Sequence, residues 1–152
     1  MTGVARILIG AAVLSGIALS AVFPTQAQML ISEQEASLPA AADTSLTLRG
    51  VTRGPKVQII SPAQEVAVKS PFNLKLKFES FGGAKIDPTS VKATYLKSPS
   101  VDLTQRMQKF IKDNGIDMDK AEVPPGEHII ALQLKDTEGR AASVNVKINV
   151  AK

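Results

Sequence analysis

The sequence contains no cysteine and no tryptophan, and it has one tyrosine and one histidine. Without cysteine, the chain cannot form disulfides, use thiol chemistry or take a lipid anchor on an N-terminal cysteine. The missing tryptophan argues against an aromatic platform that stacks on sugars. The single imidazole, His128, has no histidine or cysteine companion with which to hold a transition metal. We therefore predict neither a cofactor nor a metal site.

Recognisable catalytic motifs are absent from the sequence as well. It has no glycine-rich phosphate loop, GxSxG elbow, CxxC pair or HExxH helix. As a general base, His128 would lack a serine or cysteine nucleophile in a recognisable motif, so we predict a structural role for it. The carboxylates from Asp113 to Glu122 fail the spacing of an EF-hand calcium loop. The sequence accordingly predicts a protein that is not an enzyme.

Residues 1–27 have the pattern of a secretory signal peptide. Arg6 supplies the positive start, Ile7–Phe23 is an uncharged apolar run, and Pro24 breaks that run. Small residues precede a cleavage position after Ala27. These features predict a periplasmic or secreted protein. The alternative is a leader that is retained as a membrane anchor, and only in that case do we expect contact with a membrane.

Residues 28–54 are rich in Ala, Ser and Thr and show little periodicity, which predicts a flexible arm or linker. Arg49 and Arg53 flank glycines in this segment and are candidate residues for binding a partner or an anion. The alternative is a flexible basic entry into the first strand.

Residues 55–152 show the two-residue alternation of half-buried strands. Phe72–Phe78 alternates apolar and polar residues, and we predict that it is the central strand of one sheet. Ile130–Leu134 and Ala142–Val150 alternate in the same way around Asp136–Arg140, which predicts an antiparallel hairpin. Val66–Val68 is predicted to continue the first strand after a bulge.

One segment changes to helical spacing. Leu103, Met107 and Phe110 share a helical face, with Asp102 placed to cap the first turn. We predict one short helix over about 103–113. The alternative is a strand at Val101–Thr104 followed by a loop.

Lysines on the predicted strands form the other candidate site. Lys75 and Lys77 share a face of one strand, and Lys92 lies on a predicted neighbour. Together they would form a cationic sheet face that meets an anionic partner. The alternative is a solvated outer face whose lysines guard against edge-to-edge pairing. The formal net charge of +4 is too small for the basic stripe of a nucleic-acid-binding protein, so nucleic acid is not an expected partner.

The turns carry a resemblance to a known domain. Ser70-Pro71-Phe72, Ile86-Asp87-Pro88, Pro125-Gly126-Glu127-His128 and Asp136–Arg140 stand where such turns frame strands. In this respect residues 55–151 resemble a bacterial immunoglobulin-like domain in small exported proteobacterial proteins of no assigned activity. The resemblance implies an all-β, immunoglobulin-like antiparallel β-sandwich and says nothing specific about a role. Architecture alone is also similar to periplasmic copper carriers, whose several histidines are missing here.

We predict a signal peptide at 1–27, an arm at 28–54 and a sandwich at 55–152. The expected function is an exported, non-catalytic binding or structural module of the cell envelope, with another protein or an envelope component as partner. The alternative is a periplasmic metal-handling carrier.

Overall fold

A computed structural model describes residues 27–42 and 54–152 of the chain. In these ranges the protein is mostly β, with two mixed sheets and little helix. The predicted all-β architecture is confirmed at this level. The elements, in chain order, are β1 Gln28–Met29, α1 Glu33–Ala36, β2 Lys56–Ser61, β3 Ala67–Val68, β4 Phe72–Glu79, β5 Ile86–Tyr95, β6 Val101–Asp102, α2 Thr104–Met107, β7 Ile111–Lys112, β8 Gly115–Glu122, β9 Gly126–Asp136 and β10 Ala141–Val150.

The first sheet has the strand order β1-β8-β4-β2, and β7 pairs with β8 beside β1. Strand β4 lies between β8 and β2, as its clean alternation predicted. Its inner side chains, Phe72, Leu74, Leu76 and Phe78, are all buried, while the intervening side chains face water. The pairs β4–β8 and β2–β4 are antiparallel.

The second sheet has the order β3-β10-β9-β5-β6. The predicted hairpin is confirmed, because β9 and β10 pair from Lys135↔Ala141 to Gly126↔Val150. Two short edge pairs are parallel, β1 with β8 and β3 with β10, so the sheets are mixed where the sequence predicted antiparallel ones. The prediction that Val66–Val68 continues the first strand is wrong. Strand β3 pairs with β10 in the second sheet, because Pro62 ends the β2 ladder and the link after it crosses to that sheet.

The core lies between the two sheets and is built from both. Its largest fully buried side chains include Leu74 and Ile116 from the first sheet and Tyr95, Leu132 and Ile148 from the second. Burial of apolar area on this scale is the main source of stability for a domain without disulfides.

The N-terminal segment differs from the predicted flexible arm. Over residues 28–41 the chain forms a strap along the sandwich, with Leu30 and Ile31 0% and 1% exposed. Strand β1 pairs with the end of β8, and Ala40 bridges to Lys97. Composition suggested a loose segment because only two adjacent residues of the strap are buried, and one buried pair leaves no periodic signal. Residues 43–53, which include Arg49 and Arg53, lie outside the described residues.

The predicted helix is shorter than expected. Helix α2 ends at Met107, continues as a single 3-10 turn at Gln108–Phe110, and gives way to β7. Ile111 has extended backbone angles and pairs with Ile116 across a tight turn, so its β-branched side chain joins a ladder where the sequence predicted helix. The prediction that Asp102 is the N-cap is wrong, because the N-cap is Leu103 and has no side-chain cap; Asp102 lies one residue earlier and accepts a 2.7 Å hydrogen bond from the Thr104 amide.

Candidate functional site

The outer face of the first sheet carries a shallow depression between the middle strand and its neighbours. Lys75 and Lys77 project from β4 on this face, because alternation sends Leu74 and Leu76 into the core. Lys112, at the end of β7, is placed beside them by the turn that joins β7 to β8. The three lysines line a cavity of about 260 Å³. The name "lysine depression" is used below for this cavity.

A bulge in the edge strand β2 supplies the apolar rim of the lysine depression. The register between β2 and β4 shifts between Ile59 and Ser61, and Ile60, the residue at this shift, lies on the exposed face of β2 with Lys56 and Gln58. Its side chain is 52% exposed and lines the cavity. Gly115 lies on the opposite side, where the backbone of β8 approaches Leu76 so closely that a Cβ atom would collide with the Leu76 carbonyl. Glycine is therefore required for the close strand pairing that shapes this side of the cavity.

The electrostatics of the lysine depression favour an anion. Its lining contains three ammonium groups and one carboxylate, that of Asp117. Lys75 pairs with Asp117 at 3.3 Å, and Lys77 pairs with Glu79 at 3.2 Å. These side chains are largely exposed, and exposed ion pairs are weak enough for a competing anion to replace them. Among the described residues no carboxylate forms an ion pair with Lys112.

The structure separates the lysines that the sequence grouped together. Lys75 and Lys77 are neighbours, as predicted. Lys92 lies on β5, in the second sheet, and is exposed on the opposite outer face, so it cannot share a site with them. Lys112 was missed because the sequence placed it in a helix. The short turn at Asp113–Gly115 pairs Lys112 with Gly115 of β8, and Gly115 in turn pairs with Lys77 of β4.

His128 lies in a buried polar network at one end of the sandwich. It is 2% exposed, on the inner face of β9, as the alternation predicted. Its Nε2 lies 2.8 Å from the carbonyl of Pro124, which can only accept, so this nitrogen carries the proton. Nδ1 then accepts a 2.7 Å hydrogen bond from the hydroxyl of Tyr95. The arrangement suits the neutral ring.

Burial is the main cause of the pKa shifts of His128 and Tyr95. Desolvation lowers the pKa of His128, and the positive charge of Lys97 adds to that effect against the opposing influence of Pro124 and Glu127. Desolvation also raises the pKa of Tyr95 to about 12, with a smaller contribution from the charge of Glu35. Both groups therefore stay neutral near pH 7. Through its two hydrogen bonds the imidazole links β5, β9 and the Pro124 turn.

A second opening of about 660 Å³ lies at the same end of the sandwich, with Met29 and Pro124 in its walls. Its lining carries the carboxylates of Glu33 and Glu122 together with the ammonium groups of Lys69 and Lys152. The opposing side-chain charges balance, so this opening has no electrostatic preference comparable to that of the lysine depression.

Two observations bear on other classes of site. In residues 27–42 and 54–152, no three or more His, Cys, Asp or Glu side chains come together in a way that could hold a metal ion. None of the helices in these ranges has the length and apolar character needed to span a bilayer.

Comparison with family models, with curated proteins and with solved structures found no match to this chain. The site must therefore be interpreted from its own geometry.

Proposed function

We propose that the protein is an exported, non-catalytic binding module of the cell envelope that holds an anionic envelope component in the lysine depression. The observation that carries the proposal is the meeting of Lys75, Lys77 and Lys112 in one cavity with a single carboxylate in its lining. A concentration of one sign of charge in a concave surface raises the local concentration of ligands of opposite charge.

The proposed fold type is immunoglobulin-like. Its support is the strand order, in which the first edge strand is divided between the sheets as β2 and β3 and the last hairpin lies beside β5. Immunoglobulin-like sandwiches likewise pair their final hairpin with a strand from the first half of the chain. A fold of this type hosts many unrelated functions, so the proposed non-catalytic role rests on the lysine depression and not on the fold.

Export is the second part of the proposal. Its support is the leader pattern at residues 1–27 together with the position of β1, which begins at Gln28. Cleavage after Ala27 would leave β1 and the buried Leu30 intact. Export of the full chain is tested by fractionating cells and determining the N-terminus of the product. A mature protein that starts at Gln28 supports this part, and a cytoplasmic product of full length contradicts it.

Binding is tested by co-sedimentation of the exported protein with vesicles that contain phosphatidylglycerol. The test variant replaces Lys75, Lys77 and Lys112 by Gln. The matched control replaces Lys92, Lys135 and Lys147, which are exposed on the second sheet, and so removes the same charge. We expect binding that weakens with salt and falls by about tenfold or more in the test variant alone, since each lysine near an anionic surface contributes strongly. Equal binding by the two variants would contradict the proposal.

A further inference from the structure

The exposed side chain of Ile60 lines two neighbouring cavities. On one side it forms the rim of the lysine depression. On the other side it lines a cavity of about 560 Å³ between β2 and β10, whose apolar walls are Val57, Ile59, Ile60 and Val144. The name "apolar seam" is used below for this second cavity. The two cavities therefore meet at one exposed apolar side chain.

The apolar seam differs from the lysine depression in its charge. Polar and apolar groups line it in similar measure, its polar side chains are the glutamines Gln58 and Gln64, and no ionisable side chain lines it. It lies beside the edge strand β2, where Val57 and Ile59 are only half-buried by the core. A surface of this kind removes hydrocarbon from water without placing a charge against it.

The pairing of the two cavities restricts the ligand. A small inorganic anion would contact the lysines and leave the seam open to water. A neutral alkyl chain would cover the seam without meeting the lysines. Only a molecule with an anionic group next to a hydrocarbon chain complements both surfaces, and Ile60 is the position at which the two parts of such a molecule would join.

We infer that the lysine depression and the apolar seam form one site for a single-chain anionic lipid. The anionic headgroup lies among Lys75, Lys77 and Lys112, and the acyl chain passes over Ile60 between β2 and β10. This inference rests on the proposed function, because it names the chemical class of the anionic envelope component. It goes beyond that function by assigning the apolar seam a role in affinity.

Affinity should then depend on chain length in a measurable way. Each fully buried methylene multiplies affinity by about fourfold, and an open seam that shields one side of the chain gives a smaller factor of about twofold. The gain should stop when the chain exceeds the length of the seam. A site that contacts only the headgroup would bind lipids of every chain length with the same affinity.

The experiment is an amide-resolved NMR titration of the exported protein below the micelle concentration of each probe. Dodecyl phosphate is compared with octyl phosphate, inorganic phosphate and the neutral dodecyl maltoside. We expect dodecyl phosphate to shift amides at both Lys75–Lys77 and Val57–Ile60, and to bind about tenfold or more tightly than octyl phosphate, which is four methylenes at about twofold each. Inorganic phosphate should shift only the lysine depression, and weakly.

Two variants test the assignment of Ile60. Ile60→Gln removes the apolar bridge without adding charge, and we expect it to weaken dodecyl phosphate several-fold more than it weakens inorganic phosphate. The matched control is Val66→Gln, because Val66 has a similar exposure of 55% and lines neither cavity. It should leave both affinities unchanged.

The outcomes separate the inference from the proposed function. If dodecyl phosphate binds no more tightly than inorganic phosphate at the lysine depression, the inference is overturned and the proposed function stands. If no anionic probe shifts the lysine depression, both are overturned. If dodecyl maltoside binds as tightly as dodecyl phosphate, the lysines add nothing and the inference is wrong. If poly-glutamate binds the depression more tightly than dodecyl phosphate does, the partner is an acidic protein and the inference is also wrong.

Discussion

The two ends of strand β9 bury titratable side chains in opposite ways. His128 and Asp136 lie on the same inner face of this strand, near its start and at its end, and they are the two buried polar or charged side chains among the described residues. The first is neutral and is held by a hydroxyl and a carbonyl. The second is charged and is held by an arginine and backbone amides. The terms "His128 end" and "Asp136 end" are used below for the two ends of the sandwich.

At the Asp136 end the carboxylate organises the turn of the last hairpin. One oxygen accepts from the amides of Glu138 and Arg140, at 3.0 and 2.9 Å, and the other accepts from the Arg140 guanidinium at 2.7 Å. Burial alone would raise the pKa of Asp136, but the hydrogen bonds and positive charge of Arg140 outweigh it, so the pKa lies below 3.8. Arg140 also donates to the carbonyl of Phe81 and so ties the turn to the neighbouring loop.

At the His128 end the buried network is closed by the N-terminal strap. The strap is held by Arg106, which contacts both oxygens of Glu35 at 2.8 and 2.7 Å and donates to the carbonyl of Leu30 at 2.9 Å. The hydrogen bonds from Arg106 lower the pKa of Glu35 to about 2. Lys97 reaches the strap at the carbonyl of Ala36 and also lies over the ring of Tyr95.

The fold provides His128 and Asp136 with different kinds of hydrogen-bond partner. A buried polar group needs partners, and the partners that the fold provides decide whether the group carries charge. The carboxylate of Asp136 takes its hydrogen bonds from Glu138 and Arg140, within its own turn. The ring of His128 takes one of its two hydrogen bonds from Tyr95 on another strand, 33 residues away in the chain. We therefore expect the His128 end to be more sensitive to single changes.

The largest effect is expected at the strap. Leu30→Ala removes a fully buried side chain from the core and should lower the free energy of unfolding by about 2–5 kcal/mol. The matched control is Met29→Ala at the preceding residue of the strap, where the side chain is 63% exposed and the change should stay within about 0.5 kcal/mol. Urea unfolding of the two variants and the wild-type protein measures both values. Equal losses for the two variants would mean that the strap is not part of the cooperative fold.

The strap also shows where sequence reasoning stops. The hairpin β9–β10 and the strand β4 could be predicted because many alternating residues repeat one signal. The strap has one buried pair in a polar segment, and its fastening depends on Arg106, far away in the chain. The sequence cannot show that Glu35 meets Arg106, because this contact is a product of the tertiary fold.

The candidate site was predictable in the same partial way. Lys75 and Lys77 share a strand face, and alternation alone establishes that. Alternation also places Ile60 on the exposed face of β2, but which strand lies beside it is a product of the tertiary fold, and Lys112 reaches the lysine depression through the short turn between β7 and β8. Lys92 was grouped with them because alternation tells which residues share a face of one strand, and it does not tell which sheet a strand joins.

An intermediate effect is expected from the Tyr95 hydroxyl. Tyr95→Phe keeps the aromatic packing and leaves Nδ1 of His128 buried without its donor, which should cost about 1–3 kcal/mol in the free energy of unfolding. A double-mutant cycle with His128→Leu isolates the hydrogen bond. The double variant should be less destabilised than the two single losses added together. Additive losses would show that the hydroxyl and the imidazole do not stabilise one another.

The smallest expected effect is the pH dependence of the free energy of unfolding, and the His128 end and the Asp136 end should lose stability in different pH ranges. Because the folded pKa of His128 is below 6.5, the unfolded chain binds more protons as the pH falls below 6.5, and stability is lost in that direction. The slope from one group cannot exceed about 1.4 kcal/mol per pH unit. The folded pKa of Asp136 is lowered, so its contribution is complete above 3.8 and is lost as the pH falls through the folded pKa.

Urea unfolding between pH 8 and pH 2 measures both windows. His128→Gln should remove the loss between pH 7 and pH 5, while Asp136→Asn should leave that window unchanged and reduce the loss below pH 4. The pKa values of Glu35, Asp87 and Asp102 are lowered as well, so these carboxyls also contribute to the lower window, and Glu35→Gln is needed there to separate the strap from the turn. A wild-type curve that is flat between pH 7 and pH 5 would show that the His128 end tolerates a charged ring. The two ends would then differ in the hydrogen-bond partners that they provide, but both could hold a charged side chain.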